Sequence, residues 1–396
     1  MQPKFVKIFG GGPSALIAAD FLSSKFHVEI FEKEKNIGQK FLVAGKGGFN
    51  LTNNLDGNEL ADKYYPCDFL KNAILNFGSK SVREWLRNLN IETFTGTSGR
   101  VFAGKKYKPI DVLNSIRKSL IKKNVEIYTN HNFIGFDENN KPIVETTSKK
   151  FHRNEYYIFS LGGASWPNTG SDGRWLEHFN KIGISTNPFQ ASNCGINIKW
   201  PKRIIDHHVG KPLKNIRVKA GNFISSGEAV ITNYGLEGNA IYSLIPSLRA
   251  AKNKGTLKIS IDFKPNNSVE NLGSKIRSTS STSEGYKKLF NLNSTELSLL
   301  KSFTSKEEFT QPKIFVKGLK SLEIIVDSLR PIDESISTVG GIKTTDLNND
   351  FSLKKYPNIY TIGEMVDWDA PTGGFLLQGC FSMGYHVADS LIKKNS

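Results

Sequence analysis

The chain has 396 residues, with 53 Lys+Arg against 37 Asp+Glu, a net charge of +16 and a sequence pI near 9.5. Hydrophobic residues make up 38% and charged residues 23%, which is the profile of a globular protein and excludes a mostly disordered chain; no apolar run approaches the ~18 residues of a membrane helix. At ~150 residues per domain the length points to two or three domains, with a core large enough to need no disulfide or metal staple.

The three cysteines, Cys67, Cys194 and Cys380, are far apart and form no C-x-x-C. That argues against a secreted disulfide scaffold and against a zinc site. Residues 1–30 lack a signal-peptide pattern, so a cytoplasmic location is expected. Phe5 to Phe9 form a short apolar run, read as a buried strand. It leads into Gly10-Gly11-Gly12-Pro13-Ser14-Ala15, a G-x-G-x-x-A fingerprint. Ala15 to Leu22 show helical apolar spacing, and Val28 to Phe31 read as a second strand. Glu32 stands 20 residues after Gly12, the ~20-residue spacing of a ribose-binding acid. Gly10 permits the tight turn, Gly12 lets the backbone approach a pyrophosphate, and Ala15 lets the helix pack closely on the strand. The helix N-terminus offers free N–H groups and partial positive charge to phosphates. The segment predicts a dinucleotide-binding α/β unit, and Glu32 disfavours a 2′-phosphate.

Tyr156 to Leu161 is a further strand signal. The following Leu161-Gly162-Gly163-Ala164-Ser165-Trp166 lacks the G-x-G-x-x-G spacing, so a dedicated NAD(P)H domain is not expected. From Asn193 to Arg330 the pattern changes. Ile196 to Ile198, Ile216 to Val218, Val230 to Thr232 and Leu257 to Phe263 are short runs between Gly and Asn turns, as in a β-barrel or meander. Short helices are expected around 284–302, with Ser278 to Ser283 as a linker. Strand signals return at Ile314 to Val316 and Leu322 to Val326.

The charge concentrates in this region. Residues 193–330 hold 22 Lys+Arg and 11 Asp+Glu, so 22 − 11 = +11 of the total +16. Lys199, Lys202, Arg203, Lys211, Lys214, Arg217 and Lys219 are opposed only by Asp206. Two readings are open: an RNA-contacting surface over 199–219, or the solvated face of strands in a chain with 42 Lys and 11 Arg. Trp200 and Phe223 are the nearby aromatic residues an RNA site would stack on. His207-His208 has no metal-spaced partner and reads as a pair of exposed loop histidines.

Asn358 to Ile362 read as a strand, followed by Gly363-Glu364, then Pro371-Thr372-Gly373-Gly374 and a helical pattern through Phe375, Cys380, Val387 and Leu391. An acid after a late strand can hold the ribityl hydroxyls of a flavin. A helix opening at Gly373-Gly374 can stabilise negative charge on a reduced flavin ring. FAD is therefore expected, held between the two ends of the chain.

The motifs also carry a family resemblance. Gly38-Gln39-Lys40-Phe41-Leu42-Val43-Ala44-Gly45-Lys46-Gly47-Gly48-Phe49-Asn50-Leu51-Thr52-Asn53 follows a G-x-K-x-L-x-S/A-G-x-G-x-x-N-x-T-N pattern. Ser98-Gly99-Arg100-Val101-Phe102, Gly162-Gly163-Ala164-Ser165-Trp166-Pro167, Gly170-Ser171-Asp172-Gly173, Gly227-Glu228 with Gly235-Leu236-Glu237-Gly238, and Gly363-Glu364-Met365-Val366-Asp367-Trp368 through Gly374 follow in order. The chain resembles the two-dinucleotide-type FAD flavoproteins that include aminoacetone-oxidase-like enzymes, bile-acid-pathway flavin reductases and a large-subunit ribosomal RNA dihydrouridine synthase. Its A-G-K-G-G-x-N and E-M-x-D-W forms set it apart from the main branch.

The resemblance implies bound FAD. Pro13, Ser14, Lys33, Lys40, Gly45, Lys46, Gly47, Asn50 and Thr52 would contact it, with Gly162 and Gly163 near the adenine-side crossover. Gly363, Glu364, Gly373, Gly374 and Phe375 would lie near ribityl and ring. It also implies a Rossmann-like FAD-binding domain (1–190 and 331–396), an inserted β-barrel-like domain (191–265 and 312–330) and a small helical subdomain (266–311). Many members carry Arg-Cys where this chain has Gly48-Phe49, so a mechanism through that cysteine does not transfer.

The expected function is an FAD-dependent oxidoreductase in which NAD(P)H reduces the flavin and an unsaturated substrate accepts the hydride. Such a reduction needs a proton donor within ~3 Å of its target or one water away. Asp367 is one catalytic candidate, and Arg100 is another as an anion or carbonyl anchor; a helix-entry cap and an ion-pair partner are their structural alternatives. Other readings are a uridine in ribosomal RNA as substrate, an amine oxidase returning electrons to oxygen with Trp166 and Trp368 as an aromatic cage, and a non-enzymatic flavin-loaded assembly factor.

Overall fold

A computed structural model describes residues 4–43, 49–145, 155–252, 255–276 and 282–396. Gly45, Lys46 and Gly47, and most of the expected linker at Ser278 to Ser283, lie outside the described residues. The opening apolar run is the strand Phe5–Phe9, at the centre of a five-stranded sheet. The order across that sheet is Ile359–Thr361, Glu155–Phe159, Phe5–Phe9, His27–Phe31, Glu126–Tyr128, and every pair is parallel. Parallel strands are covered on both faces, which is why they read as near-continuous apolar runs.

Lys7 interrupts its run. It is 2% exposed, and its ammonium lies 3.2 Å from Glu29 and 3.4 Å from Glu155, so the buried charge is shared between carboxylates of the two flanking strands. The first helix, Pro13–Leu22, starts with proline in its first turn, where a missing N–H costs nothing. It packs on the C-terminal helix Phe375–Lys394. At Gly384 a Cβ would stand 2.3 Å from the Ser14 carbonyl oxygen, so the helices touch backbone to backbone. The two ends of the chain are thereby fixed against one sheet.

The chain divides into two units, Met1–Gln190 with Ser337–Ser396, and Ala191–Ile336. The second has its own apolar core and a seven-stranded sheet in the order Leu322–Ile325, Lys258–Asp262, Pro212–Ala220, Phe223–Ile231, Gly235–Glu237, Ile196–Asn197, Ser328–Leu329. All its pairs are antiparallel, and among the described residues the two edge strands are not paired, so this sheet is open. Among the described residues, five short helices follow between Val269 and Lys320. Two of them carry reciprocal capping boxes, Asn293 with Glu296 and Ser305 with Glu308.

Four expectations change here. Ile314 to Val316 lie in the helix Pro312–Lys320, not a strand: Phe315, Val316 and Leu319 share its buried face, and Pro312 opens it. The helical segment therefore runs on to residue 320 rather than stopping at 311. His207 and His208 close the helix Lys202–His208, and His208 is buried one turn after Ile204, with Nδ1 3.1 Å from Thr295 Oγ1. Trp200 is buried and donates its indole N–H to the Thr232 carbonyl at 2.9 Å, so it offers no stacking platform. Along Pro212–Ala220, Leu213, Ile216, Val218 and Ala220 are buried while Lys214, Arg217 and Lys219 are exposed. No described helix is long and apolar enough to cross a membrane.

Candidate FAD site

The site is built on the carboxyl ends of the parallel strands. Gly10 has φ +96°, and a Cβ there would stand 2.3 Å from the Ser160 carbonyl oxygen at the end of the neighbouring strand. Glycine is required at this position by the turn and by the protein's own packing. Gly12 is different. Its φ is −79°, open to any residue, and among the described residues a Cβ would meet only Ser160, at 3.9 Å. Nothing in the protein demands glycine there, so the space beside it is room for a ligand. Ala15 is fully buried under the helix, and the Ser14 hydroxyl pairs with that of Ser160 at 2.7 Å.

Glu32 caps the second strand. Its Oε2 accepts the Gly11 N–H at 2.6 Å and its Oε1 the Glu34 N–H at 2.9 Å. Burial raises the carboxyl above its ordinary range, against the lowering effect of these two bonds. Each oxygen keeps a lone pair for a further donor. Lys33 pairs with Asp172 at 2.9 Å. Lys40 bridges Glu364 Oε2 at 2.6 Å and Ser165 Oγ at 2.8 Å. Gly163 lets its loop pass under Thr338 and Glu364, where a Cβ would come within 2.1 Å of Thr338 Oγ1. Gly363, at φ +77°, rests on Ser14 in the same way.

A cavity of about 590 Å³ joins Gly10, Gly12, Pro13, Ser14, Glu32, Lys33, Lys40, Gly162 and Glu364. Sequence reasoning missed His131 to Ile134, Arg174, Trp175, His178 and Cys380 on its walls. Asp172 also lines it and stood in a quoted motif, but with no role. Cys380 is buried; burial first, and Glu364 second, push its thiol well up, which leaves it protonated and inert at neutral pH. Cys67, by contrast, is exposed.

A second group gathers where the C-terminal helix opens. Gly373 and Gly374 have φ +107° and +98°, and a Cβ on Gly374 would stand 2.2 Å from the Thr52 carbonyl oxygen. Asn53 Nδ2 donates to the Gly373 carbonyl at 3.2 Å, and Tyr64 donates to that of Phe375 at 2.8 Å. The Thr52 hydroxyl is turned inward to Gln378, so it fixes the helix instead of facing a ligand. Among the described residues, Asn50 Oδ1 is buried without a hydrogen-bond partner.

The two catalytic candidates part ways. Both Asp367 oxygens are committed, one to Asn187 Nδ2 at 2.6 Å and the other to the Gly340 N–H at 2.9 Å. The residue ties the strand Ser337–Ile342 to its loop, and among the cavity-lining residues it has no place. Arg100, which is not a cavity-lining residue either, is half-buried beside Gly373, and its guanidinium has no hydrogen-bond or ion-pair partner among the described residues. Trp368 is 3% exposed and donates to the Gly363 carbonyl at 2.9 Å; it is a core residue and cannot wall an open aromatic cage.

These residues fit FAD. The cavity has the size of a cofactor site, with a glycine that leaves ligand space, a helix N-terminus for phosphates and an acid with spare lone pairs; Asn50, Thr52, Gly373, Gly374 and Phe375 are not among its lining residues. The fold and site define an FAD-dependent oxidoreductase. Residues 4–390 match the HI0933-like protein Rossmann domain family, and the chain belongs to that family. Among its relatives is the 3-dehydro-bile acid delta(4,6)-reductase of Clostridium scindens, 23% identical over 405 residues, 96% of this chain and 97% of the relative. Solved structures of similar fold include the 3-ketosteroid-delta4-(5alpha)-dehydrogenase of Rhodococcus jostii RHA1 (11% identity, TM-score 0.53, covering 98% of this chain and 97% of that one). A flavocytochrome c3 fumarate reductase in its open conformation is another (12% identity, TM-score 0.51, 99% and 78%).

Proposed function

We propose that the protein is a reductase that adds hydrogen across an activated carbon–carbon double bond, with NAD(P)H as electron donor. The observation that carries this reading is the similarity to a protein named as a delta(4,6)-reductase, which extends over 96% of this chain and 97% of that one. When bound, FAD supplies the hydride chemistry. The chain's own residues position it. The first-helix N-terminus and Gly12 receive the pyrophosphate, Glu32 the ribose, and Lys40 holds Glu364 in place by their ion pair. The Gly373-Gly374 turn presents the N-terminus of a 20-residue helix, whose partial positive charge favours a negatively charged ring. With no second dinucleotide fingerprint among the described residues, the nicotinamide is a transient visitor.

An RNA substrate is the weaker reading, since Trp200 is buried. An amine oxidase loses one wall of its cage with Trp368. The test is anaerobic: the purified protein is yellow, NADH or NADPH bleaches the flavin band, and an α,β-unsaturated ketone restores it. A flavin that neither nucleotide reduces, or that only oxygen reoxidises, refutes the proposal.

A further inference from the structure

The three-stranded sheet beside the helix opening has one face committed to the core and one left open. Its order is Asn50–Asn53, Arg100–Ala103, Thr93–Thr95. Along the middle strand Val101 and Ala103 are buried, while Arg100 and Phe102 are only half so. Phe94 lies opposite Phe102 on the edge strand, and their rings stack at 5.4 Å and 22°. Asn50 lies opposite Phe102 on the other side. Phe94, Phe102 and Asn50 thus form one cross-strand row, and Arg100 lies two residues before Phe102 on the same face, opposite the buried Asn53.

Arg100 lies over the turn that opens the C-terminal helix, its Nε 3.5 Å from where a Gly373 Cβ would be. Arg100 is half-buried as a residue, and no carboxylate of the chain is within reach of its guanidinium among the described residues. By contrast, Lys7, Lys33 and Lys40 of the same chain each have a carboxylate within 3.4 Å. A fork of five donors with no protein acceptor matches a planar oxyanion in two parallel bonds. The phenyl pair next to it is apolar surface that such a ligand covers.

We infer that the substrate of this enzyme is a carboxylate on a flat apolar or aromatic body, its anion held by Arg100 and its body laid on Phe102 and Phe94. This rests on the flavoprotein reading above and adds to it the substrate class. Arg100 is then the residue that sets specificity.

The test uses the FAD-loaded protein with trans-cinnamate as probe and cinnamyl alcohol, its neutral counterpart, as control. Binding is read as perturbation of the flavin absorption band. Cinnamate is expected to bind at least about tenfold more tightly than the alcohol. Arg100→Gln should weaken cinnamate by ~10- to 100-fold, leave the alcohol unchanged and leave the FAD content unchanged, which shows that the variant is folded. Arg100→Lys should recover part of the loss, because charge is restored without the fork. Phe102→Ala should weaken both probes alike. Equal affinity for the two probes, no perturbation by cinnamate, or an Arg100→Gln protein that binds cinnamate as the wild type does overturns the inference while the yellow colour leaves the flavoprotein reading standing. A protein that takes up no FAD overturns both.

Discussion

Gly10 and Gly12 stand two residues apart in one fingerprint, yet the structure assigns them different duties, and substitution separates them. Gly10→Ala places a Cβ 2.3 Å from a backbone oxygen at φ +96°. The left-handed conformation alone costs ~1–2 kcal/mol, and a backbone atom cannot rotate out of the overlap. A total of about 3 kcal/mol or more is expected, in line with strained, overpacked sites. Gly12→Ala introduces a Cβ at φ −79° whose nearest neighbour is 3.9 Å away. The fold should tolerate it, or gain about 0.4–1 kcal/mol from a stiffer unfolded chain. The same methyl occupies the ligand's side of the turn, so FAD affinity should fall at least tenfold, ~1.4 kcal/mol. Urea unfolding of the FAD-free proteins measures the first quantity, and quenching of FAD fluorescence on titration measures the second. Gly10→Ala should lower the urea midpoint, whereas Gly12→Ala should keep it and lose the cofactor. A Gly12→Ala protein with wild-type FAD affinity would refute the placement of the pyrophosphate, and an unchanged midpoint for Gly10→Ala would refute the close approach to Ser160.

Lys7→Met leaves Glu29 and Glu155 buried without the ammonium they share; losing one member of a buried charge group costs ~3–5 kcal/mol, and chemical unfolding should show it even with FAD absent. Glu32 predicts a pH effect. Its folded carboxyl titrates above the ordinary value because of burial, so its contribution to stability is full below the unfolded pKa and is lost as pH rises through the folded one. Glu32→Gln removes that titration. The stability difference between Glu32→Gln and wild type, both FAD-free, should move in favour of the variant on going from about pH 4 to pH 7, whatever its offset at pH 4; a flat difference, or one moving the other way, contradicts the burial argument.

The fingerprint from Phe5 to Glu32 was legible because its chemistry is local: turn, helix start and acid lie within 28 residues of one another. Other features were hidden for specific physical reasons. Ile314 to Val316 is too short an apolar run for period alone to tell helix from strand, and the decisive residues were Pro312 before it and Leu319 after it. Asp367 stands in an acidic loop, but its partners Asn187 and Gly340 are 180 and 27 residues away, and only the folded chain shows that its oxygens are spent. The walls at His131 to Ile134 and Arg174 to His178 carry no motif at all.

Topology explains where those walls come from. In a parallel sheet every strand ends on the same edge, and ligands bind beyond those carboxyl ends. Of the five strands here, the first is followed by Gly10, the second by Glu32, the strand Glu126–Tyr128 by His131, the strand Glu155–Phe159 by Ser160, and the strand Ile359–Thr361 by Glu364, and all five residues line the one cavity. The rule needs the strands but not the motifs. Applied to the strand signals in the sequence, it would have placed Ser160 and Glu364 in the site with no family pattern. His131 escaped because its strand, Glu-Ile-Tyr, is three residues long with a charged first residue, below what alternation can reveal. Its place was fixed by pairing in register with Glu29, Ile30 and Phe31, a tertiary event that the local sequence leaves unwritten.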